Sequence, residues 1–425
     1  MNTISRLAPR RAVAAWCLFD WANSAFPTVI VTFVFSAYFT QAIAETPELG
    51  TSAWGIGMTI SGIAIALLSP ALGAIADRTG RRKPWLAALT LVCLVATAAL
   101  WLAAPEPGWL VPALALVVIA NIGFEIGMVF YNAMLPDIVA RNRIGRVSGW
   151  AWGFGYAGGL VCLIVCLFAF VQADPPPFGL DADRAENVRV VTPFVAAWFG
   201  LFAIPLFLLV PDRPRSGMGL VEAARTGLRT LAGTLANVRS HANIARFLAA
   251  RLFYIDGLNT IFSFGGIYAA GTFGMSVAEI IQFGIALNVS AGLGAAAFGW
   301  IDDRIGPKRT ILIAIAAIAA LAVPLLIVES KTLFWVFAVP LGIFFGPAQA
   351  ASRSLMARLA PPDLQTEMFG LFALSGKITS FVGPALVASA TALFMSQRAG
   401  MATLLILLMA GFLLLLTVKE PKAED

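Results

Sequence analysis

Long runs of apolar residues dominate the chain from end to end. There are twelve such runs, and they fall at about 13–41, 53–76, 85–104, 110–133, 147–171, 193–211, 247–272, 279–301, 310–328, 333–352, 366–395 and 400–418. Roughly 20 apolar residues in a helix cross the hydrocarbon core of a bilayer. Backbone groups at that depth must bond within their own segment, so these runs are expected to be helices. The pattern predicts an all-α integral membrane protein with twelve transmembrane helices.

Composition agrees with that prediction. Of 425 residues, 59% are hydrophobic and only 12% are charged, about half the charged share of a soluble domain. If the N-terminus is cytoplasmic, 24 Lys and Arg residues fall in inner segments and 4 in outer loops. The positive-inside rule then places both termini in the cytoplasm. The net charge of +6 therefore reflects topology, and we expect a lipid bilayer and no nucleic acid as partner.

The cysteine and histidine positions argue against metal and enzyme chemistry. Cys17, Cys93, Cys162 and Cys166 lie in apolar stretches without a C-x-x-C pair, and the only histidine, His241, lies in a polar segment. We expect no metal, no cofactor and no disulfide. A rival function, an intramembrane enzyme, would need a nucleophile with a base, or metal ligands, at membrane depth. The apolar runs contain no histidine and no cluster of acidic residues, so we expect a protein that is not an enzyme.

The longest inner segment divides the chain into two sets of six helices. It predicts an N-terminal six-helix bundle at 1–211, a cytoplasmic linker at 212–245 and a C-terminal six-helix bundle at 246–425. Apolar residues recur at helical spacing within the linker, at Leu220, Ala224, Leu228, Leu231, Leu235 and Val238. This spacing predicts an amphipathic helix on the inner membrane surface, the alternative being a solvated linker helix.

One motif is repeated after the second and the eighth helix. Both copies have the pattern G-x-x-x-D-R-x-G followed by basic residues. The first glycine allows close helix approach, the aspartate at a helix end can pair with a neighbouring helix N-terminus, and the second glycine permits a tight turn. We expect these loops to latch the cytoplasmic side, through Gly73, Asp77, Arg78, Gly80, Arg81, Asp303, Arg304 and Gly306.

A second motif, D-x-x-N-x-x-F, occurs in the first and the seventh helix. It begins at Asp20 with Asn23, and again at Asp256 with Asn259, which places each Asp and Asn on one helical face. Six helices separate the copies, so the halves have the same topology. The repeat predicts two bundles related by pseudo-two-fold symmetry.

Ionisable residues inside the predicted helices are the candidates for substrate or ion binding. Asp20, Glu125, Asp256 and Lys377 each cost about 2.5–3.5 kcal/mol to insert, so each implies a site or a structural partner. Asn132 is a further candidate, because it is one of several Pro, Gly, Asn and Gln residues that interrupt the predicted helices. The interruptions are Pro27, Asn121, Gly123, Gly127, Asn132, Pro340, Gly346, Pro347 and Gln349. We expect a polar cavity lined by helices 1, 4, 7, 10 and 11, the alternative being kinks that only shape packing.

The doubled loop motif resembles the signature of the major facilitator superfamily. Within it, four stretches resemble the autophagy-associated vacuolar effluxer family and its bacterial relatives. They are WCLFDWANSAF at 16–26, YNAMLP at 131–136, RSLMARLAP at 353–361 and EMFGLFALSGKITSFVGP at 367–384. The resemblance implies the major facilitator fold, alternating access and, from the bacterial relatives, a location in a bacterial inner membrane. The fungal members are associated with amino-acid efflux.

These observations predict a secondary active transporter that moves a small organic solute, such as an amino acid or a related zwitterion or anion. Lys377 would attract an anionic group, and Glu125 or Asp20 would carry a coupling proton. We expect a monomer. The alternative is a proton-driven exporter of drugs or metabolites, and a channel is a further rival.

Overall fold

The structure is a computed structural model that describes residues 8–420, without the side chains of residues 277 and 278. Across that range all regular secondary structure is helical. Arg6 and Lys422, which contribute to the charge distribution above, lie outside the described residues. The helices are α1 (Arg10–Ile43), α2 (Pro47–Thr79), α3 (Lys83–Leu102), α4 (Pro107–Ile138), α5 (Arg141–Val171), α6 (Glu186–Leu209), the linker helix (Leu220–Ala236), α7 (Ala242–Phe273), α8 (Val277–Ile305), α9 (Pro307–Leu325), α10 (Lys331–Leu359), α11a (Gln365–Ser375), α11b (Val382–Phe394) and α12 (Gln397–Leu416).

The predicted all-α class is confirmed. Ten helices within residues 8–420 are long and apolar enough to cross a membrane. The two other predicted spans are α7, which carries Arg246, Arg251 and Asp256, and the interrupted pair α11a and α11b. The sequence predicted one uninterrupted run at 366–395, whereas the helix breaks between Ser375 and Val382. The full count of twelve spans stays a prediction.

Helix α1 widens where the chain contains Pro27. Proline has no amide hydrogen and cannot continue the regular hydrogen-bond ladder. Wide π-type turns occupy Phe26–Phe33 and Phe39–Ile43, and the Thr32 hydroxyl donates to the Pro27 carbonyl at 2.8 Å. The Thr32 hydroxyl thus gives the Pro27 carbonyl a hydrogen-bond donor within the widened turn.

The two halves meet along two close seams, α2 against α11a and α5 against α8. Each seam is made close by glycine. A Cβ on Gly370 would lie 2.5 Å from the Ser69 carbonyl oxygen, and a Cβ on Gly149 would lie 2.3 Å from that of Ala295. Small residues commonly allow helices in membranes to pack this closely. The seams occupy equivalent places in the two halves.

Both halves brace their peripheral helices in the same way. The Lys83 ammonium at the start of α3 donates to the Phe207 carbonyl at the end of α6, at 2.8 Å. The Lys308 ammonium at the start of α9 donates to the Leu416 and Val418 carbonyls near the end of α12, at 2.8 and 2.7 Å. Cations stabilise the carbonyl ends of helices. Lys83 therefore joins α3 to α6, and Lys308 joins α9 to α12.

The linker helix packs on α2 near that helix's C-terminal end. Ala223 and Gly227 are buried, and Gly227 faces the Ala74 backbone. Leu228 and Leu235 on another face are exposed. The linker thus contains a helix, while its amphipathic contact with a membrane surface stays a prediction. We call the end of the molecule that carries residues 77–83, 137–146, 302–308 and 358–367 the linker end, because the linker contacts residues 78–83 there.

Candidate functional site

A cavity of about 310 Å³ lies between the two halves. Its walls carry hydroxyl, amide and aromatic groups and no Asp, Glu, Lys or Arg side chain. The lining residues are Ser24, Pro27, Thr28, Thr32, Phe33, Trp152, Gly155, Tyr156, Asn259, Phe262, Ser263, Asn288, Phe345 and Gln349. This central cavity can hydrogen-bond a polar solute and stack against its apolar parts.

The central cavity corrects part of the expectation from sequence. Helices α1, α7 and α10 line it as expected, but α4 and α11 do not, and α5 and α8 take their places. The reason lies in the packing: α4 and α11a contact each other directly, whereas the aromatic residues Trp152 and Tyr156 of α5 face the interior. Of the predicted binding residues, Asn259 is the one that lines this cavity.

Arg353 of α10 reaches from the second half into the first, one helical turn closer to the linker end than Gln349. Its Nη1 atom donates to Asp20 Oδ2 at 3.0 Å and to Asn132 Oδ1 at 3.3 Å. Its Nε and Nη2 atoms donate to the Ser148 hydroxyl at 2.9 Å and the Ser148 carbonyl at 2.8 Å. The side chains of Arg353 and Asp20 are only 3% and 8% exposed, so this ion pair between the halves is buried.

Aromatic rings enclose the Arg353 guanidinium. Its central carbon lies 5.0 Å from the centre of the Trp16 ring, 5.8 Å from that of Tyr131 and 5.7 Å from that of Trp152. Trp16 and Tyr131 stack at 4.4 Å and exchange hydrogen bonds with each other's carbonyls. Cation–π contacts of this kind are strongest where water is excluded. Because Trp152 also lines the central cavity, one side chain connects the cavity to the buried ion pair.

Arg353 begins the stretch RSLMARLAP, but the pattern of charges inside the predicted helices did not single it out as a candidate site residue. The tenth apolar run was expected to end at residue 352, whereas α10 continues to Leu359. A cation one residue beyond an apolar run is indistinguishable from an ordinary interfacial charge. The structure brings three predicted residues to it: Asp20, Asn132 and Asn23, whose amide donates to Asp20 Oδ1 at 3.3 Å.

Asp256, the repeat partner of Asp20, has a different environment. It accepts a hydrogen bond from the Gly383 amide at 2.8 Å, at the start of α11b. Arg251, also on α7, donates to the Phe372 carbonyl and the Ser375 hydroxyl at the end of α11a, at 2.7 and 2.8 Å. A carboxylate at a helix N-terminus and a cation at a helix C-terminus are both favourable. The two side chains of α7 therefore hold the two ends of the break in α11.

Lys377 lies in this break. Its ammonium donates to Glu125 Oε1 of α4 at 2.6 Å, and the two side chains are 29% and 26% exposed. The pair joins the two halves and is only partly buried, unlike the pair of Arg353 and Asp20. It supplies one positive and one negative charge that stay within reach of water.

At the linker end, Asp77 caps a helix of the other half. Its carboxylate accepts hydrogen bonds from the Thr366 and Glu367 amides at 3.1 and 2.9 Å, at the start of α11a. Arg82 reinforces the contact by donating to the Thr366 hydroxyl at 2.9 Å and to Gln365 Oε1 at 3.1 Å. The loop after α2 and the start of α11a are therefore fastened together.

The repeated motif makes the equivalent contact in the opposite direction. Asp303, after α8, accepts from the Gly145 and Arg146 amides at 2.9 and 3.3 Å, near the start of α5. Its carboxylate also accepts from Arg146 Nε at 2.6 Å and from Arg358 Nη2 at 3.3 Å. Each half thus uses the same aspartate of the motif to hold a helix N-terminus of the other half.

The remaining residues of the two motifs have supporting positions. Arg78 donates to the Thr230 hydroxyl of the linker helix at 2.9 Å, and Arg81 lies 3.5 Å from Asp212. Gly80 and Gly306 adopt φ angles of 85° and 93°, which favour glycine. Arg304 is exposed and makes no hydrogen bond to a described residue.

The contacts between the halves are therefore unevenly distributed. The two aspartate caps, Arg82 and the Arg353 ion pair all lie on the linker-end side of the central cavity. Among residues 8–420, one further ion pair joins the halves, that of Lys377 in the break of α11 with Glu125 near the middle of α4. The other contacts between the halves described above lie toward the linker end, and they close the central cavity on that side.

Comparison with known proteins identifies the family. The family model for vacuole effluxer Atg22-like proteins matches residues 51–425. An MFS-type transporter of Bacillus subtilis (strain 168), YxiO, is 29% identical over 414 residues, covering 97% of this chain and 95% of that protein. Autophagy-related protein 22 of Coccidioides immitis (strain RS) is 24% identical over 308 residues, covering 66% of this chain and 49% of the fungal protein. The aligned region thus spans about half of that fungal relative.

Solved structures show the same fold. The proton:xylose symporter XylE, an MFS protein, aligns with a TM-score of 0.75 at 15% identity over 97% of this chain and 96% of that chain. The MFS transporter FucP in its outward conformation aligns with a TM-score of 0.73 at 14% identity over 96% and 99% of the two chains. At this level of identity the likeness establishes the major facilitator fold.

Proposed function

The chain belongs to the vacuole effluxer Atg22-like family within the major facilitator superfamily, and we propose that it moves a small organic solute by alternating access. The protein is a secondary transporter of the membrane and not an enzyme. The observation that carries the mechanism is the one-sided closure of the central cavity by two equivalent aspartate caps and a buried ion pair. Breaking these contacts and closing the other side would expose the same cavity to the opposite face of the membrane.

The proposed orientation places the linker end in the cytoplasm. The basic residues concentrated there support it. The division into bundles at 1–211 and 246–425, with the linker at 212–245, belongs to this proposal, as does location in a bacterial inner membrane. In this orientation the structure represents the state whose cavity is closed to the cytoplasm.

Cysteine labelling tests the orientation. All four native cysteines are buried. Phe178 is 89% exposed before α6 and Leu235 is 58% exposed on the linker helix, so each accepts a reporter cysteine. A membrane-impermeant reagent should label Phe178→Cys in intact cells and Leu235→Cys only after permeabilisation. The reverse result would overturn the assignment.

The proposed substrate is an amino acid or a related zwitterion or anion. The family description, a vacuole effluxer, and the cavity's hydroxyl and amide groups support a small polar solute. The pair of Lys377 and Glu125 does not line the central cavity in this state, but it is partly exposed and would offer charges of both signs to the solute once the interface between the halves opens. A proton bound by Asp20 or Glu125 would remove the negative charge that holds Arg353 or Lys377, which would couple protonation to the opening of the interface.

A ligand screen followed by transport tests the proposal. A solute that binds the folded protein raises its thermal stability, so purified protein should be screened against amino acids, peptides and common metabolites. A stabilising solute should then show accelerated exchange in proteoliposomes loaded with unlabelled solute. A channel shows no such acceleration. Dependence of accumulation on an imposed proton gradient, with drugs in place of amino acids, would favour the alternative of a proton-driven exporter.

A further inference from the structure

A second cavity lies on the outer surface of the seam between α5 and α8. Its volume is about 430 Å³, and apolar side chains form most of its walls. Phe154 of α5 and Leu293 of α8 border it and are 49% and 68% exposed, so the cavity opens away from the protein interior. We call it the lateral groove.

Two side chains separate the lateral groove from the central cavity. Tyr156 and Asn288 line both of them. The Asn288 amide donates to the Gly284 carbonyl at 2.8 Å, and the Tyr156 hydroxyl makes no hydrogen bond with any residue of the described range. A thin wall thus has an apolar cavity on one side and a polar one on the other.

We propose that the lateral groove binds one acyl chain of a bilayer phospholipid. Helices α5 and α8 are both long and apolar enough to cross the membrane, and residues 154–161 lie near the middle of α5. Hydrocarbon is the abundant material at that depth. Water would find few polar partners in the groove, and an empty groove would forfeit the dispersion contacts of its walls.

The acyl chain of the lipid would contact Tyr156 and support the wall of the central cavity from outside. It would also occupy the space between two helices that belong to different halves. Such binding requires only that α5 and α8 span the bilayer, and it is therefore independent of any transported solute.

Photolabelling tests the proposal. The protein is reconstituted into phosphatidylcholine vesicles that contain a small fraction of phosphatidylcholine with a diazirine in the middle of one acyl chain. After irradiation, mass spectrometry locates the labelled peptides. Excess labelling is expected at residues 154–161 and 289–296, relative to exposed apolar residues of α3 such as Leu91 and Val95. Each of these two is 60% exposed and lines neither the lateral groove nor the central cavity.

Filling the groove provides the matched variants. Ala157→Trp and Val289→Trp place a large ring in it from its two walls, and both positions are exposed, so the fold should tolerate them. Each variant should lose the excess labelling, while Val95→Trp on α3 should keep it. Equal labelling of all three helices, or excess that persists in both filled variants, would show ordinary surrounding lipid and overturn the proposal.

Discussion

The two halves of the molecule agree at their ends and differ at their centre. At the linker end, Asp77 and Asp303 hold equivalent helix N-termini of the opposite half. At the centre, the residue six positions before the end of α4 is Asn132, whereas the equivalent residue of α10 is Arg353. Asp20 therefore meets a cation, and its repeat partner Asp256 caps a helix instead. The repeat gives both halves the same scaffold. The difference between Asn132 and Arg353 decides which aspartate of the repeated motif, Asp20 or Asp256, forms a buried ion pair.

A second difference concerns the fifth and the eleventh helix. Gly149 and Gly370 pack equivalently in the two seams, and the residues seven positions later are Tyr156 and Lys377. Tyr156 lies in a continuous helix and lines the central cavity, whereas Lys377 lies in the break of α11 and binds Glu125. Equivalent positions thus provide a neutral wall on one side and an ion pair on the other.

The largest expected effect comes from the central asymmetry. Arg353→Gln leaves the Asp20 carboxylate buried without its partner, and breaking a buried ion pair costs about 3–5 kcal/mol. We expect a large drop in thermal stability in detergent and loss of transport. Asp20→Asn added to Arg353→Gln should recover stability but not transport. Arg304→Gln, at an exposed arginine, is the control, and a stable, active Arg353→Gln would contradict the role of the pair.

The two caps should differ in strength in a predictable order. Asp77→Asn removes charge-assisted hydrogen bonds worth about 1.5–3 kcal/mol in total and the charge that lies 3.7 Å from Arg82. Asp303→Asn removes a charge with two closer cations, Arg146 at 2.6 Å and Arg358 at 3.3 Å, so its effect should be larger. Both should favour the state open at the linker end, by about tenfold for each 1.4 kcal/mol.

Alkylation of a cysteine at the buried Ala350 reports that state. Its rate should rise in both variants and transport should fall, while membrane insertion stays normal. Unchanged alkylation and transport would mean that the repeated motifs are only connecting loops.

The pair of Lys377 and Glu125 should matter more to transport than to stability. It is partly exposed, so its loss should cost no more than about 1 kcal/mol. Lys377→Ala should abolish uptake of an anionic or zwitterionic solute, and Lys377→Arg should restore it poorly, because a guanidinium fork differs in shape from an ammonium. Lys331→Ala, which removes an exposed ion pair with Glu279, is the matched control. Recovery of transport in the double variant Lys377→Ala, Glu125→Ala would show that the pair is structural.

The smallest effect tests the agreement between the halves. Lys83→Met and Lys308→Met each remove a cation from a helix C-terminus, which costs about 0.3–1 kcal/mol. The two losses in thermal stability should be nearly equal, and transport should persist in both variants. A loss confined to one variant would show that the two lysines, though equivalent in position, contribute unequally to thermal stability.

The sequence alone determined the helical class, the repeat and the helix ends that carry the repeated G-x-x-x-D-R-x-G motifs. Hydrophobic runs and glycine-flanked aspartates are local signals, because they reflect the cost of placing backbone and charge in hydrocarbon. The same cost marked Asp20, Glu125, Asp256 and Lys377 as residues that need partners. It could not mark Arg353, which follows its apolar run directly and resembles an interfacial charge.

Only the tertiary structure decided which partner each charge received. Asp20 and Asp256 share one motif, yet one faces the guanidinium of Arg353 and the other the start of α11b, because their surroundings come from other helices. The same holds for the central cavity, which α5 and α8 line in place of α4 and α11. An insertion cost depends on one residue and its neighbours along the chain, whereas an ion pair depends on two residues that lie hundreds of positions apart.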